Sequence, residues 1–321
     1  MSAIYYWPYV LRSRNRLNAA SDRRKFEGAL IRVGDGVGCI HPWPELGDAS
    51  LDRQLAKLAA GESTRLVASA LDCARLDGEA RGEGRSLFAI AGEAMPQPRN
   101  HRLVQQGDDP SEWRERGFET AKFKIGPELE DVCTRVEPWV SQGFRIRLDG
   151  NETAGFRSFL DWWKSLPGEL REAIEFVEDP VPWGRFSWWR LKRGGVPLAA
   201  DRDLESRYRG AAVAIYKPAT DGGNGFDTRL VGWAVRRKRR LVVTSYMDHA
   251  IGQVWAAYAA GSLEAVCPEV VADCGLLTHD CFEPDPFFET IAVEGTKLVP
   301  PDGTGLGFDD LVEKLPWKRL N

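Results

Sequence analysis

Lys122 and Lys124 stand one residue apart in Thr120-Ala121-Lys122-Phe123-Lys124-Ile125-Gly126, a stretch with the alternation of a β-strand. Both ammonium groups then share one face, and Phe123 and Ile125 take the other. In a barrel of parallel strands the apolar face must meet the surrounding helices, which turns both lysines toward the barrel centre. Unpaired charges there would be strongly destabilising, so the pattern demands acidic partners. They follow at the ends of the next β-rich runs. Arg145-Ile146-Arg147-Leu148-Asp149 places Arg147 and Asp149 inward, Glu178 ends a strand just before Pro180, Asp201 ends Pro197-Leu198-Ala199-Ala200-Asp201, and Lys217 ends Ala214-Ile215-Tyr216-Lys217. The successive intervals from Lys122 to Asp149, Asp149 to Glu178, Glu178 to Asp201 and Asp201 to Lys217 are 27, 29, 23 and 16 residues. The first three each hold one strand–helix unit; the last is too short for a full helix and predicts a truncated crossover. Asp149, Glu178 and Asp201, converging at the C-terminal mouth, form an oxygen-rich set suited to a hard divalent cation, Mg²⁺ first and Mn²⁺ as the alternative. One such carboxylate alone could be a loop acid or a helix cap. Five charged residues at consecutive strand ends are better explained by the face where barrel active sites sit.

The elements that must position these residues can be read along the chain. Residues 3–10 and 26–33 are rich in β-formers, and two amphipathic helices follow from about Ser50, the first stopping at Gly61 and the second at Gly78. Strands followed by helices describe an α+β unit over residues 1–98. From residue 99 a strand–helix alternation takes over, with seven strand candidates and an eighth near Glu269–Gly275. The predicted architecture is a modified TIM barrel, (β/α)7β, over residues 99–282. The α+β capping domain is completed by the tail, 283–321, returning to it.

Composition narrows the class. The 321 residues carry 43 Lys plus Arg against 47 Asp plus Glu, a net charge of −4, which argues against nucleic acid or a membrane surface as partner. No apolar run is long enough to span a bilayer, and the N-terminus lacks the pattern of a secretory signal. Six cysteines without CxxC spacing read as reduced thiols. The expectation is a soluble cytoplasmic enzyme or binding domain, with a small molecule rather than nucleic acid or membrane as its partner. The run Arg236-Arg237-Lys238-Arg239-Arg240 has two readings, an anion patch or the solvated end of a helix. The twelve tryptophans, several of them at 162–163, 183 and 188–189, suit helix packing on the barrel better than a ligand cage.

The order KFK (122–124), RLDGN (147–151), FVEDP (176–180), AAD (199–201) and YKP (216–218) resembles the enolase superfamily, in its muconate-lactonising subgroup. Ile40-His41-Pro42-Trp43-Pro44, YKPATDGG (216–223) and TSYMDHAIG (244–252) make the likeness strongest to the o-succinylbenzoate synthases. The chain departs from that pattern at Ser245-Tyr246-Met247-Asp248 and at Arg202-Asp203 after Asp201. These departures touch the substrate pocket rather than the acid–base set.

The resemblance implies a lyase of menaquinone biosynthesis. Its reaction is magnesium-dependent syn loss of water from 2-succinyl-6-hydroxy-2,4-cyclohexadiene-1-carboxylate, through proton abstraction beside a carboxylate and an enediolate. Lys124 is then the base, its pKa lowered by the metal and by Lys122. Lys122 contacts the substrate carboxylate, and Lys217 stays cationic to stabilise the intermediate. Asp149, Glu178 and Asp201 are the metal ligands, and Arg147, Asn151 and Ser245 are substrate contacts. N-acylamino-acid racemase, dipeptide epimerase and muconate cycloisomerase are the rivals on the same scaffold, and a non-catalytic metal-binding scaffold is the rival outside enzymes. A dipeptide epimerase should offer an Asp-x-Asp pair near the eighth strand, where Val271-Ala272-Asp273-Cys274-Gly275 has one Asp.

Overall fold

The computed structural model describes residues 3–17, 21–222 and 226–321; Gly223 of the YKPATDGG motif lies outside them. The chain opens with an antiparallel meander, β1 (Ile4–Arg12), β2 (Lys25–Val33) and β3 (Gly36–Ile40). Helices α1 (Leu51–Ala59) and α2 (Arg65–Gly82) pack on it. Ile4, Ile31, Ile40, Leu58, Val67 and Ala70 bury one face of this layer.

α2 does not stop at Gly78 as its sequence suggested but runs on to Gly82. The glycine there serves a close approach. A Cβ at Gly78 would lie 3.1 Å from the backbone N of Gly36, and one at Gly36 would lie 1.8 Å from the carbonyl of Ala74. Glycine on both sides lets the helix lie directly on β3.

The tail closes this domain. The strand Lys318–Arg319 pairs antiparallel with β1, Tyr5 opposite Arg319 and Tyr6 opposite Lys318. Asp77 of α2, completely buried, accepts from the backbone N of Val37 at 2.8 Å, the backbone N of Leu306 at 2.6 Å and Arg81 Nε at 2.8 Å. It therefore ties the meander, the helix and the tail together. Asp77→Ala leaves two buried amides and a guanidinium without their acceptor and should cost about 3–5 kcal/mol. Denaturant unfolding would show the loss as a lower midpoint, and an unchanged midpoint would contradict the role assigned to this carboxylate.

The second layer system is the barrel. Its parallel strands are β4 (Arg102–Leu103), β5 (Thr120–Lys124), β6 (Arg145–Asp149), β7 (Ile174–Glu178), β8 (Leu198–Ala200), β9 (Val213–Tyr216) and β10 (Arg240–Val243), hydrogen-bonded in chain order. Residues 271–275 supply the eighth position through isolated parallel bridges, Val271 to Leu241, Gly275 to Thr244 and Cys274 to Asn100. The ring thus closes between β10 and β4. Between β8 and β9 the crossover is a single turn, Leu204–Arg207, followed by a 3₁₀ turn, as the short spacing required.

The inward residues form two levels. Phe176, Ala199, Val213, Ile215, Val242 and Ala272 make an apolar plug. One step further along the same strand faces stand Glu178, Asp201 and Lys217, since inward positions recur every second residue. Charge therefore begins where the plug ends, at the C-terminal mouth. Trp163 and Trp188 are buried in the large core with the barrel helices, as the packing reading expected.

The two domains meet over that mouth. Trp43 Nε1 donates to the carbonyl of Tyr246 at 2.9 Å, and the Tyr246 hydroxyl donates to Asp48 at 2.9 Å. Beside this contact lie two buried histidines, His41 from the first domain and His249 at the start of the helix Ala250–Val266. His41 Nδ1 is 3.0 Å from the Tyr9 hydroxyl, and His249 Nδ1 accepts from the Ile251 amide at 3.2 Å. Burial lowers both, to about 3. The unfolded chain takes up protons near pH 6.5 that the folded chain refuses until about pH 3, so stability is lost as pH falls through that window. Two such groups remove on the order of 5 kcal/mol at pH 4.5. His249→Asn keeps a cap acceptor and removes one titration. Its stability should fall less steeply with acid than that of the wild type, and parallel curves would contradict the assignment.

Candidate active site

Of the residues singled out in the sequence, all but Arg147 line one cavity of about 300 Å³ at the mouth of the barrel. Strand register brings them together, for Lys124 pairs with Asp149 and Asp149 with Glu178 across β5, β6 and β7. Glu178 in turn lies beside Ala199 of β8, two residues before Asp201.

Lys122 Nζ donates to Glu178 at 2.7 Å and lies 3.0 Å from Asp149. Burial works against its charge, but Asp149, Glu178 and Asp201 outweigh it and hold the ammonium firmly protonated. Lys217 Nζ donates to Asp201 at 2.5 Å, and its backbone N donates to Asp221 at 2.9 Å. There too burial is outweighed, by Asp201 and Glu178, so Lys217 stays a cation.

Lys124 differs from both. Among the described residues its ammonium hydrogen-bonds only the carbonyl of Leu17 and, at 3.9 Å, the thioether of Met247. Burial is the main cause that lowers its pKa, with Lys122 acting in the same direction and Asp149 against it. The sequence named Lys122 as one cause of the lowering, and burial is a larger influence than Lys122. Lys124 and Lys217 stand on strands four apart in a ring of eight, hence on opposite sides of the mouth. One lysine poised to lose its proton thus faces one that keeps it.

The three carboxylates come from successive strand ends and are buried or nearly so. Among the described residues no three acidic, histidine or cysteine side chains stand at metal-binding distance, because the Lys122 ammonium lies between Asp149 and Glu178. The donor set nonetheless fits a hard cation. Three buried or nearly buried carboxylates converge there, and burial, with Asp149 adding to it, pushes Glu178 up to about 8 even with Lys122 in contact.

The three expected substrate contacts divide. Asn151 and Ser245 line the cavity; Asn151 Nδ2 donates to Asp149 at 2.8 Å, and the Ser245 hydroxyl lies 2.7 Å from that of Thr278. Arg147 does not reach it. It is fully buried two residues deeper, roughly 7 Å down the strand. There its guanidinium is taken up by Glu175 at 2.7 Å, His101 at 2.9 Å and the carbonyl of Asp273 at 2.5 Å. It is a structural cation of the barrel interior. Asp273 likewise turns away from the cavity, accepting from Thr120 at 2.6 Å and Arg145 at 3.3 Å.

Leu17, Asp48 and Arg65, from the first domain, also line the cavity and escaped sequence reasoning; Trp43 and Asp221, quoted there only within motifs, line it too, as do Arg202 and Tyr246 from the two departures expected to touch the pocket. Arg65 opens α2, where a cation opposes the helix dipole, and that local conflict was a readable signal. The others depend on how the domains meet.

Comparison with known proteins agrees with this geometry. Residues 4–80 match the family model "O-succinylbenzoate synthase, N-terminal domain", and residues 108–310 match "Enolase C-terminal domain-like". The chain belongs to the enolase superfamily. Over its whole length it is 32% identical to an o-succinylbenzoate synthase from Bdellovibrio bacteriovorus, covering 99% of that protein. Membership with that likeness makes it an enzyme of the lyase class, o-succinylbenzoate synthase-like. Two solved structures show the shared fold. A muconate lactonizing enzyme from Pseudomonas fluorescens, complexed with muconolactone, has TM-score 0.73 at 18% identity, with 95% of each chain covered. A dipeptide epimerase from Methylococcus capsulatus, complexed with Mg and the dipeptide L-Arg-D-Lys, has TM-score 0.71 at 20% identity, covering 95% of this chain and 98% of that one. Among the described residues no helix is long and apolar enough to cross a membrane.

Proposed function

We propose that this enzyme dehydrates 2-succinyl-6-hydroxy-2,4-cyclohexadiene-1-carboxylate to 2-succinylbenzoate, in menaquinone biosynthesis. The observation that carries the reading is the pairing of a buried lysine of lowered pKa with a cationic lysine across the mouth. The full-length likeness to an o-succinylbenzoate synthase supports this substrate over the others such a pair could act on.

Asp149, Glu178 and Asp201 would hold Mg²⁺, which, when bound, supplies positive charge to the substrate carboxylate and acidifies the neighbouring C–H. Lys124, as the neutral amine, takes the proton from C1 onto Nζ. Lys217 faces the charge that develops on the ring and carboxylate. Lys122 stays protonated between Asp149 and Glu178 and keeps positive potential beside Lys124, which favours the amine form of the base. The C6–O bond then breaks on the face that lost the proton, Lys124 returns its proton to the departing hydroxyl, and water leaves an aromatic ring. Leu17, Trp43 and Tyr246 line the cavity where the two domains meet.

Opposed lysines also suit racemisation of an N-acylamino acid, in which the second lysine would reprotonate the carbanion. The firm protonation of Lys217 and its contact with Asp201 favour an electrostatic role instead. Dipeptide epimerisation is less favoured, because Asp273 is occupied by Thr120 and Arg145 and does not face the cavity. Assaying the cyclohexadiene acid, N-acylamino acids, dipeptides and muconate side by side separates these readings. The dehydration should have the highest kcat/KM; a higher value for racemisation, epimerisation or cycloisomerisation would replace the proposed reaction.

A further inference from the structure

At the opposite, N-terminal end of the barrel a second cavity of about 440 Å³ is walled almost wholly by cations. Lys192 comes from the last turn of the barrel helix Arg185–Arg193, and Arg209 from the short crossover before β9. Arg236 and Arg237 end the helix Phe226–Arg237, and Arg239 leads into β10. Trp233, buried, forms the floor, its ring 5.1 Å from that of Tyr208. Among the described residues none of the five cations makes an ion pair or a side-chain hydrogen bond. Lys192, Arg209, Arg236 and Arg237 are exposed around the hollow and Arg239 is half-buried in it.

Cations in the last turn of a helix suit its dipole, which accounts for Lys192, Arg236 and Arg237 individually. It does not account for their convergence with Arg209 and Arg239 from other segments on one hollow. Five like charges around a small volume repel one another, in a chain whose net charge is −4. Gly232 leaves room for one of them, since a Cβ there would lie 3.0 Å from Arg236 Nη1. Four guanidinium forks and one ammonium offer planar paired donors, the geometry that matches phosphoryl oxygens.

The geometry points to a binding site for an oligophosphate chain in this cavity, remote from the catalytic mouth. Such a chain brings the opposing charge that the cavity lacks, in a length that several separate forks can grip together. This site is independent of the dehydration reading.

Titration calorimetry on the full chain, freed of divalent metal, tests it with inorganic tripolyphosphate, pyrophosphate and orthophosphate at low ionic strength. Tripolyphosphate should bind saturably, one per chain, and more tightly than orthophosphate, with affinity falling as salt rises. Arg239→Glu and Arg236→Glu should each weaken it by about tenfold or more, with catalytic turnover unchanged. Arg236→Gln, a milder change, should weaken it in the same sense if either reversal impairs folding by circular dichroism. A nucleoside triphosphate binding as tightly as tripolyphosphate identifies the phosphate chain as the ligand. Absence of saturable binding by tripolyphosphate overturns the inference, and so does an affinity that the charge changes leave untouched.

Discussion

Lys124→Arg is expected to abolish turnover, with a loss beyond the roughly 10²–10⁴-fold that general-base catalysis usually contributes. Guanidinium is not deprotonated at neutral pH, so the variant cannot accept the C1 proton. No neighbouring group can substitute: Lys122 is held protonated by Asp149 and Glu178, and Lys217 by Asp201. Lys217→Arg should fail differently. It keeps the cation opposite the base and should retain part of the rate, whereas Lys217→Ala should not. Exchange of the substrate α-proton with deuterated solvent separates the two roles. Lys217→Arg should still exchange slowly and Lys124→Arg should not. A near-wild-type rate for Lys124→Arg would overturn the base assignment and move it to Lys217.

The second large effect concerns the three carboxylates. Replacing Asp149, Glu178 or Asp201 by the corresponding amide should reduce turnover to near background, and treatment with EDTA should do the same to the wild type until Mg²⁺ is restored. Alanine is the poorer choice of variant. Glu178 and Asp149 are buried and are the partners of Lys122, so truncation leaves a buried ammonium underpaired, at a cost of about 3–5 kcal/mol. Asn and Gln keep the volume and one acceptor oxygen. Equilibrium dialysis with Mn²⁺ provides a readout apart from rate: each amide variant should bind the ion more weakly than the wild type. Full activity in metal-free enzyme would end the metal assignment.

Much of this site was legible because inward and outward positions alternate strictly along a strand. Phe123 and Ile125 facing the helices were enough to send Lys122 and Lys124 to the barrel centre, and the same parity placed Asp149, Glu178, Asp201 and Lys217. Parity does not report depth. Arg147 faces inward as expected, yet it lies one layer below the cavity and pairs with Glu175. Gly78 shows a related limit, since a glycine within a helical pattern reads as a stop until the strand that needs its missing side chain is known. The roof of the site was out of reach for a different reason. Trp43, Asp48 and Tyr246 meet across about 200 residues of sequence, |i−j| being 203 and 198 for their two contacts, and no local period encodes such a meeting.

The most direct measurement is ultraviolet monitoring of the cyclohexadiene substrate with wild-type enzyme and Mg²⁺, run beside Lys124→Ala. The diene absorbance should disappear as 2-succinylbenzoate forms stoichiometrically in the wild type, and persist at the uncatalysed rate with Lys124→Ala. Equal rates in the two proteins, or no consumption by the wild type, would contradict the account.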